Sequence, residues 1–141
     1  MKRMGSVSVY TDGSCFLTKA NKPGGWAFVI PHEYEVSGGA TQTTNNRMEL
    51  TAPIEALGFI PKDTKVDIFS DSKYVIRGIT EFIKGWKRKG WAKVKNRDLW
   101  EKLDQLVVGR HVSWHWVKAH NGNVWNERAD NLAKYEAAKF S

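Results

Sequence analysis

Four acidic side chains lie close to the boundaries of predicted strands and helices. Asp12 and Asp71 come at the ends of predicted strands, and Glu49 and Asp130 come in the first turns of predicted helices. Each position has an ordinary explanation, because aspartate starts turns and the helix dipole favours acidic residues in a first turn. Gathered at one point, however, four carboxylates would repel one another unless a cation neutralised them.

The remaining composition indicates which cation and which chemistry such a cluster would serve. The chain has one cysteine, Cys15, and four histidines, which excludes an internal disulfide and favours Mg²⁺ or Mn²⁺ over zinc. Its net charge of +7 favours an anionic partner such as nucleic acid or an acidic membrane, although the same charge also serves solubility. A divalent cation on a basic protein is typical of phosphoryl transfer by two metals.

Hydrophobic periodicity divides the 141 residues into strands and helices without a long linker. The predicted strands are one that ends at Asp12, where Gly13 and Ser14 are predicted to break it with a turn, then 26–30, 34–43, 65–70 and 112–117. Four helical regions are predicted. The first is capped by Asn45 or Asn46 and bent at Pro53, and the second follows Asp71 with one apolar face formed by Ile79, Phe82, Ile83 and Trp86. The third carries an apolar stripe of Leu99, Leu103, Leu106 and Val107, and the fourth covers 127–139. This order predicts one α/β domain over residues 1–141, with a mixed sheet, helices on its faces and a site near the strand ends.

Six sequence runs, spread from about residue 7 to about residue 134, match one family in the same order. They are YTDGSC (10–15), TTNNRMEL (43–50), SDSKYV (70–75), GWKRKGW (85–91), VKNRDLW (94–100) and WVKAH…NERAD (116–130). Together they resemble the bacterial type 1 ribonuclease H family. The resemblance implies the ribonuclease H-like fold, a five-stranded mixed sheet of three antiparallel and two parallel strands flanked by helices. It also implies an endonuclease that hydrolyses the RNA strand of RNA–DNA hybrids and leaves 5′-phosphate and 3′-hydroxyl ends.

The resemblance assigns roles to the four acids and to one histidine. It implies that Asp12, Glu49, Asp71 and Asp130 hold two Mg²⁺ ions, with Mn²⁺ as a substitute. Asp12 would contact both ions, Glu49 and Asp71 one of them, and Asp130 the other. One ion would activate a water and the second would stabilise the leaving 3′ oxygen. His120 would assist catalysis or product release, whereas on its own it would be read as an exposed loop histidine.

Contacts with both strands of a hybrid are implied as well. Asn45 and Asn46, with Glu49, suit the minor groove and the 2′-hydroxyl that marks RNA, although either asparagine could simply cap a helix. Thr44 and Asn96 match positions that form a pocket for a phosphate of the DNA strand.

The segment 84–95 resembles the basic protrusion with which the family binds its substrate. Trp86 matches the aromatic residue that packs against deoxyribose, and its alternative role is core packing. The other substrate-binding candidates in this segment are Lys87, Arg88, Lys89 and Trp91. A run of charges is otherwise a solvated face, and Trp91 is as well explained by packing as by substrate contact.

Three departures from the family pattern bear on substrate binding rather than on metal ligands. The loop after Cys15 reads FLTKANKPGG where relatives have a shorter Gly-Asn-Pro loop, and Asn21 is the candidate substitute for its asparagine. Lys73 stands where many relatives carry glutamine, and Gln42 where some carry a phosphate-binding arginine. Lysine can hold a phosphate as a point charge but cannot reproduce amide hydrogen bonding.

Other readings of the sequence stay open. The main alternative is a catalytically silent module that binds hybrids or duplexes; others are a domain of a larger reverse transcriptase, which the starting methionine disfavours, and a relative that cuts DNA. With no secretory signal and no apolar run of membrane-spanning length, we expect a cytoplasmic monomer that binds RNA–DNA hybrid, without a membrane or an obligate protein partner.

Overall fold

A single five-stranded mixed sheet forms the centre of the structure, a computed structural model that describes residues 5–141. Its strands are β1 (Gly5–Cys15), β2 (Gly24–Ile30), β3 (Tyr34–Ala40), β4 (Thr64–Ser70) and β5 (Val112–Trp116). The spatial order is β3-β2-β1-β4-β5. Strands β1, β2 and β3 pair antiparallel, whereas β4 runs parallel to β1 and β5 parallel to β4. This confirms the predicted mixed sheet.

Helices cover both faces of this sheet. They are α1 (Asn45–Phe59), α2 (Lys73–Arg77), a π-helical turn (Gly78–Phe82), α3 (Ile83–Arg88), α4 (Arg97–Val107) and α5 (Val124–Lys139). Helix α1 packs on β1, β2 and α4, and the main core of aliphatic residues and Trp100 lies on this side. Helix α5 packs on β1, β2 and β3 from the opposite face through buried alanines.

Strand β1 does not end at Asp12, as the sequence predicted, but continues to Cys15. The reason is pairing with β2: Asp12 lies opposite Ala27, and the register continues to Cys15 opposite Gly24. Gly13 therefore belongs to a strand rather than a turn. Strand β3 is shorter than predicted and ends at Ala40.

Helices α1 and α5, which carry Glu49 and Asp130, both begin earlier than the sequence predicted. The cap of α1 is Thr44, whose hydroxyl accepts a hydrogen bond from the Arg47 amide at 3.2 Å. Asn45 and Asn46 are consequently inside the helix, and Glu49 lies beyond its first turn. Helix α5 begins at Val124, capped by Asn123, so Asp130 also lies beyond the first turn. The helix dipole therefore explains neither acid, and the prediction that both occupy first turns is wrong.

The predicted apolar face after Asp71 is only partly confirmed. Ile83 is buried, and Ile79 and Trp86 pack against the core, but Phe82 is 43% exposed. The π-helical turn shifts the phase of the side chains at this point, because its wider hydrogen bonding inserts an extra residue into the helical repeat. The stripe on α4 is confirmed, with Leu103 fully buried and Leu99, Leu106 and Val107 packed against the core.

Helix α5 lies so close to β2 that only glycine fits at the contact. A Cβ on Gly25 would overlap the Ala133 carbonyl oxygen and lie 2.7 Å from the Ala137 amide nitrogen. We expect Gly25→Ala to destabilise the protein by about 1–3 kcal/mol, because the helix must move away from the sheet. The free energy of unfolding in urea measures this.

Gly58 provides the matched control. It lies in α1, and a Cβ there would meet nothing within 4 Å. Gly58→Ala should leave stability unchanged or raise it by about 0.5–1 kcal/mol, since alanine favours a helix. Equal stability of the Gly25→Ala variant and the wild type would contradict the close contact.

Candidate active site

Three of the four predicted acids meet at one end of the sheet. Carboxylate oxygens of Asp12, Glu49 and Asp71 all lie within 4.8 Å of one another. Asp12 and Asp71 are brought side by side by the parallel pairing of β1 with β4, in which Thr11 lies opposite Ser70 and each acid follows its strand partner. Two neighbouring parallel strands therefore deliver two carboxylates to the same edge.

Glu49 reaches the cluster because α1 approaches β1 at a glycine. The Gly13 amide donates a 2.7 Å hydrogen bond to Glu49 Oε1. A Cβ at Gly13 would overlap the backbone of Met48 and Glu49, so any larger residue would push the helix away. The glycine that the sequence pattern assigned to a turn thus fixes the third carboxylate.

Asp130 approaches the cluster from α5, on the other face of the sheet. Its carboxylate is near enough to Asp12 to contribute to the raised pKa of that residue, but it is not one of the three that share the 4.8 Å neighbourhood. Lys134, one helical turn further on, holds Asp130 Oδ2 at 3.0 Å. The structure therefore gathers the four predicted acids into a group of three with a neighbouring fourth.

Burial makes this concentration of negative charge costly. It raises the pKa of Asp12, which is only 3% exposed, far above its ordinary value, and the adjacent Glu49 and Asp71 raise it further. The pKa of Glu49 is also raised, first by burial and then by Asp71, while hydrogen bonds from Asp12 and the Gly13 amide act in the opposite direction. Asp12 and Glu49 thus resist ionisation first because they are buried and then because an acidic neighbour, Asp71, lies close to both.

A divalent cation fits this arrangement. The ion pairs formed within residues 5–141 give no basic partner to Asp12, Glu49 or Asp71. The donors are carboxylate oxygens alone, which suit Mg²⁺ or Mn²⁺ better than zinc. The residues present are therefore suited to a metal that neutralises them.

The predicted histidine lies apart from the acids. His120 is exposed, follows β5 and has a left-handed backbone with φ of 55°. It is not among the side chains that share the 4.8 Å neighbourhood of the acid cluster. A non-glycine residue in this conformation is held there by its surroundings, and such residues are frequent at functional sites.

The proposed phosphate pocket includes an arginine that sequence reasoning missed. Arg47 donates from Nη1 to Asn96 Oδ1 at 3.2 Å, and its amide bonds the Thr44 hydroxyl. It also forms a two-point ion pair with Asp98, at 3.0 and 2.7 Å. Asn96 Nδ2 in turn donates to the Tyr74 hydroxyl at 3.0 Å. Arg47 thus links the two predicted pocket residues, and no local pattern could have indicated a partner 49 residues away.

The aromatic residues of the basic segment combine packing with exposure. Trp86 is half-buried and meets Trp100 edge-on, with ring centroids 5.1 Å apart. Trp91 packs against the core, which favours its structural role, and its amide donates to the Trp86 carbonyl at 2.8 Å. Lys87 pairs with Asp104 at 3.2 Å. Arg88 and Lys89 are exposed, as are Asn45 and Asn46 at the start of α1.

The altered loop after Cys15 does not present Asn21 as a free substrate contact. The Asn21 side-chain amide donates to the Phe140 carbonyl at 2.7 Å, and its backbone carbonyl accepts from the Gln42 amide at 2.8 Å. The loop is therefore tied to the end of α5 and to the segment before α1. Gln42 itself is exposed, with φ of 53°.

Comparison with known proteins gives one consistent family. A family model described as RNase H matches residues 4–138. The chain is 48% identical over 144 residues to the ribonuclease H of Erythrobacter litoralis, covering 96% of this chain and 97% of that protein. It is 51% identical over 138 residues to the ribonuclease H of Polaromonas naphthalenivorans, covering 90% and 84% respectively.

A solved structure agrees with these sequence relatives. The crystal structure of LC9-RNase H1, described as a type 1 RNase H with the type 2 active-site motif, superimposes with a TM-score of 0.85 at 31% identity. The match covers 100% of this chain and 76% of that one. In residues 5–141, no helix is long and apolar enough to cross a membrane.

The repulsion within the acid cluster should measurably lower the free energy of unfolding. The pKa of Asp12 is raised in the folded state, so folding favours the protonated carboxyl. That stabilisation is present below the ordinary pKa of 3.8 and is lost as the pH rises above it. In EDTA near neutral pH, we expect Asp12→Asn to raise the free energy of unfolding by more than about 1.4 kcal/mol, the equivalent of one pKa unit.

Denaturant unfolding across a pH series checks this expectation. The wild type should lose stability as the pH rises from about 4 to about 8, because the pKa of Glu49 is raised to about 8 and that of Asp12 still further, and Asp12→Asn should lose less. Asp63→Asn is the control, because Asp63 is exposed and outside the cluster. A destabilised Asp12→Asn variant with an unchanged pH slope would show that the cluster is not under charge strain.

Proposed function

This chain belongs to the ribonuclease H family and is an endonuclease that hydrolyses the RNA strand of RNA–DNA hybrids, and we propose that Asp12, Glu49, Asp71 and Asp130 are its catalytic metal ligands. The observation that carries the proposal is the group of three carboxylates within 4.8 Å that have no basic partner among the described residues. Asp130 joins them through its proximity to Asp12.

The metal in this proposal is Mg²⁺, bound as two ions, with Mn²⁺ able to replace it. Asp12, Glu49 and Asp71 would hold one of the ions, and Asp12 with Asp130 the other. When bound, such ions lower the pKa of a water and neutralise charge on the leaving oxygen. Gly13 contributes by fixing the Glu49 carboxylate through its amide, so that this ligand needs little reorganisation.

His120 would serve the same reaction by moving a proton. Its exposure leaves the ring accessible to water and substrate, and a histidine ring nitrogen can donate or accept a proton. Its place on the loop between β5 and α5 suits a group that enters after the substrate. We propose that it assists proton transfer to the leaving group or release of the product.

Both strands of the hybrid would be read at the start of α1 and α4. Asn45 and Asn46 are exposed beside Glu49, where amide groups could bond 2′-hydroxyls of the RNA strand. Thr44 and Asn96 would hold a phosphate of the DNA strand, with Arg47 between them. Trp86 would pack on a deoxyribose, and the cations Lys87, Arg88 and Lys89, with Trp91 beneath them, would form the basic surface nearby.

The acid cluster also weighs against a silent binding module. A protein that only binds hybrids has no use for a cluster of carboxylates, because each one that ionises without a bound cation would repel the phosphates of the ligand. We likewise propose a single domain that acts as a monomer without an obligate protein partner.

Strand-specific cleavage is the direct test of this function. End-labelled RNA–DNA hybrid, RNA duplex and DNA duplex should be incubated with the protein in Mg²⁺ or in EDTA. Only the RNA strand of the hybrid should be cut, and only with the metal. Asp12→Asn should lower kcat at least about a hundredfold, since changes even to the groups around metal ligands cost 10–100-fold.

Asp63→Asn, the exposed control, should cut like the wild type. Hybrid binding by Asp12→Asn should persist, which separates loss of chemistry from loss of the fold. Near wild-type cleavage by Asp12→Asn in Mg²⁺ would show that the metal ligands lie elsewhere. Tight binding without cleavage by the wild type in either metal would instead support the silent module.

Trp86 is expected to act on binding more than on chemistry. Trp86→Ala should raise KM for hybrid about fivefold or more while kcat changes less, because truncating a tryptophan that packs against a bound partner typically costs more than about 1 kcal/mol. Trp86→Phe should recover most of the loss, since it keeps an aromatic ring against Trp100. An unchanged KM with a collapsed kcat would refute this role.

A further inference from the structure

The outer face of α2 carries two cations, each placed over an aromatic ring. Lys73 Nζ lies 5.0 Å from the centre of the Trp116 ring, and the Arg77 guanidinium carbon lies 5.0 Å from the Phe82 ring. Lys73 and Arg77 are four residues apart and so share one face of the helix. We refer to these four residues as the cation–aromatic strip.

The aromatic members of the strip are exposed although they are large and apolar. Trp116 is 45% exposed and Phe82 is 43% exposed. A pocket of about 350 Å³ is lined by Trp116, Ile76 and the two cations. Its floor is apolar and its rim is positively charged, which matches a base or sugar with an attached phosphate.

The strip begins at the acid cluster. The Trp116 indole N–H donates to the Asp71 backbone carbonyl at 3.2 Å, and Lys73 follows Asp71 by two residues. A polynucleotide with a phosphate at the cluster would therefore have its next nucleotides within reach of the pocket. The strand nearest to it would be the RNA strand, because that is the strand cut there.

The charge of the strip favours a phosphate, and its exposed rings favour an unpaired base. Lys73 has no carboxylate partner among the ion pairs of residues 5–141, and Arg77 has only the exposed Glu81 at 3.0 Å. An exposed pair of this kind is easily exchanged for a phosphate. In a duplex the faces of the bases are covered by their neighbours, whereas a single-stranded base can stack on an aromatic ring.

We propose that the cation–aromatic strip binds unpaired nucleotides of the RNA strand where that strand leaves the hybrid. The indole of Trp116 stacks on a base, and Lys73, displaced from the ring, holds the adjoining phosphate. Arg77 and Phe82 extend the surface along α2. This inference rests on the proposed function, because it takes the RNA strand to pass the acid cluster.

Binding is measured in EDTA, where the proposed metal-dependent cleavage does not occur, with a blunt hybrid and with hybrids that carry a short single-stranded extension. The extension is placed on either end of the RNA strand or of the DNA strand. One RNA extension should tighten binding about fivefold or more, as expected for stacking of one base. Trp116→Ala should abolish that gain, Trp116→Phe should retain part of it, and these two variants should bind the blunt hybrid like the wild type.

Two further variants refine the test. Lys73→Gln should lower the dependence of log affinity on log salt by about 0.7 for the extended hybrid, the amount expected for one single-strand phosphate. Tyr135→Ala is the matched control, since Tyr135 is an exposed ring on α5 with Lys139 Nζ 4.7 Å from its centre. It should leave the gain from the extension intact.

Three outcomes would overturn the inference: no gain from either RNA extension, a gain that Trp116→Ala does not change, or a gain that only DNA extensions produce. Cleavage of the blunt hybrid in Mg²⁺ is recorded in parallel for the wild type. Failure of that cleavage would count against the proposed function, whereas normal cleavage with a negative binding result would count against the strip alone.

Discussion

Repulsion among closely placed carboxylates is the constraint on which the rest of the structure depends. Three acids, one of them buried and two partly buried, meet at one edge of the sheet, and the ion pairs of the described residues leave them without a basic partner. Left free, such side chains would turn away from one another toward water. The fold must therefore hold them in place, and a cation that binds them gains affinity from the repulsion it removes.

Close packing of the backbone holds the four acids in place. Parallel pairing sets Asp12 beside Asp71, and the approach of α1 at Gly13 brings in Glu49 from another layer. On the other face, the contact of α5 with Gly25 sets the distance of Asp130. The two helices that carry Glu49 and Asp130 thus approach the sheet at Gly13 and Gly25, with no room for a methyl group. Strand pairing fixes the other two acids. Together these contacts explain how the acids stay close despite their repulsion.

Local sequence patterns predicted the parts of the fold that depend on local physics. Alternation along β4 and the stripe on α4 were predicted well, because the burial of one face determines both. The predicted end of β1 was wrong. Pairing with β2 outweighs the Gly-Ser turn signal at residues 13–14, and the local sequence does not reveal that partner.

The predicted helix starts were wrong, and Arg47 was absent from the predicted phosphate pocket, for related reasons. The run TTNN at 43–46 offers several possible caps, and tertiary packing selects Thr44. Local sequence does not indicate that Arg47 belongs to the pocket, because its partner Asn96 is distant in sequence. The identities of the acids came from their match to family motifs, which local periodicity alone could not have provided.

The distribution of charge resolves an apparent conflict between binding and chemistry. A phosphate must approach a cluster of acids, yet the chain as a whole has a net charge of +7. At physiological salt, charges interact over about 8 Å, so the acids act only on their immediate neighbours. The basic segment 84–95 and the cations of α2 can therefore attract the rest of the nucleic acid. In the mechanism proposed above, salt should then weaken capture of the substrate, whereas cleavage should depend on metal bound by the acid cluster, because the two depend on separate groups of charges.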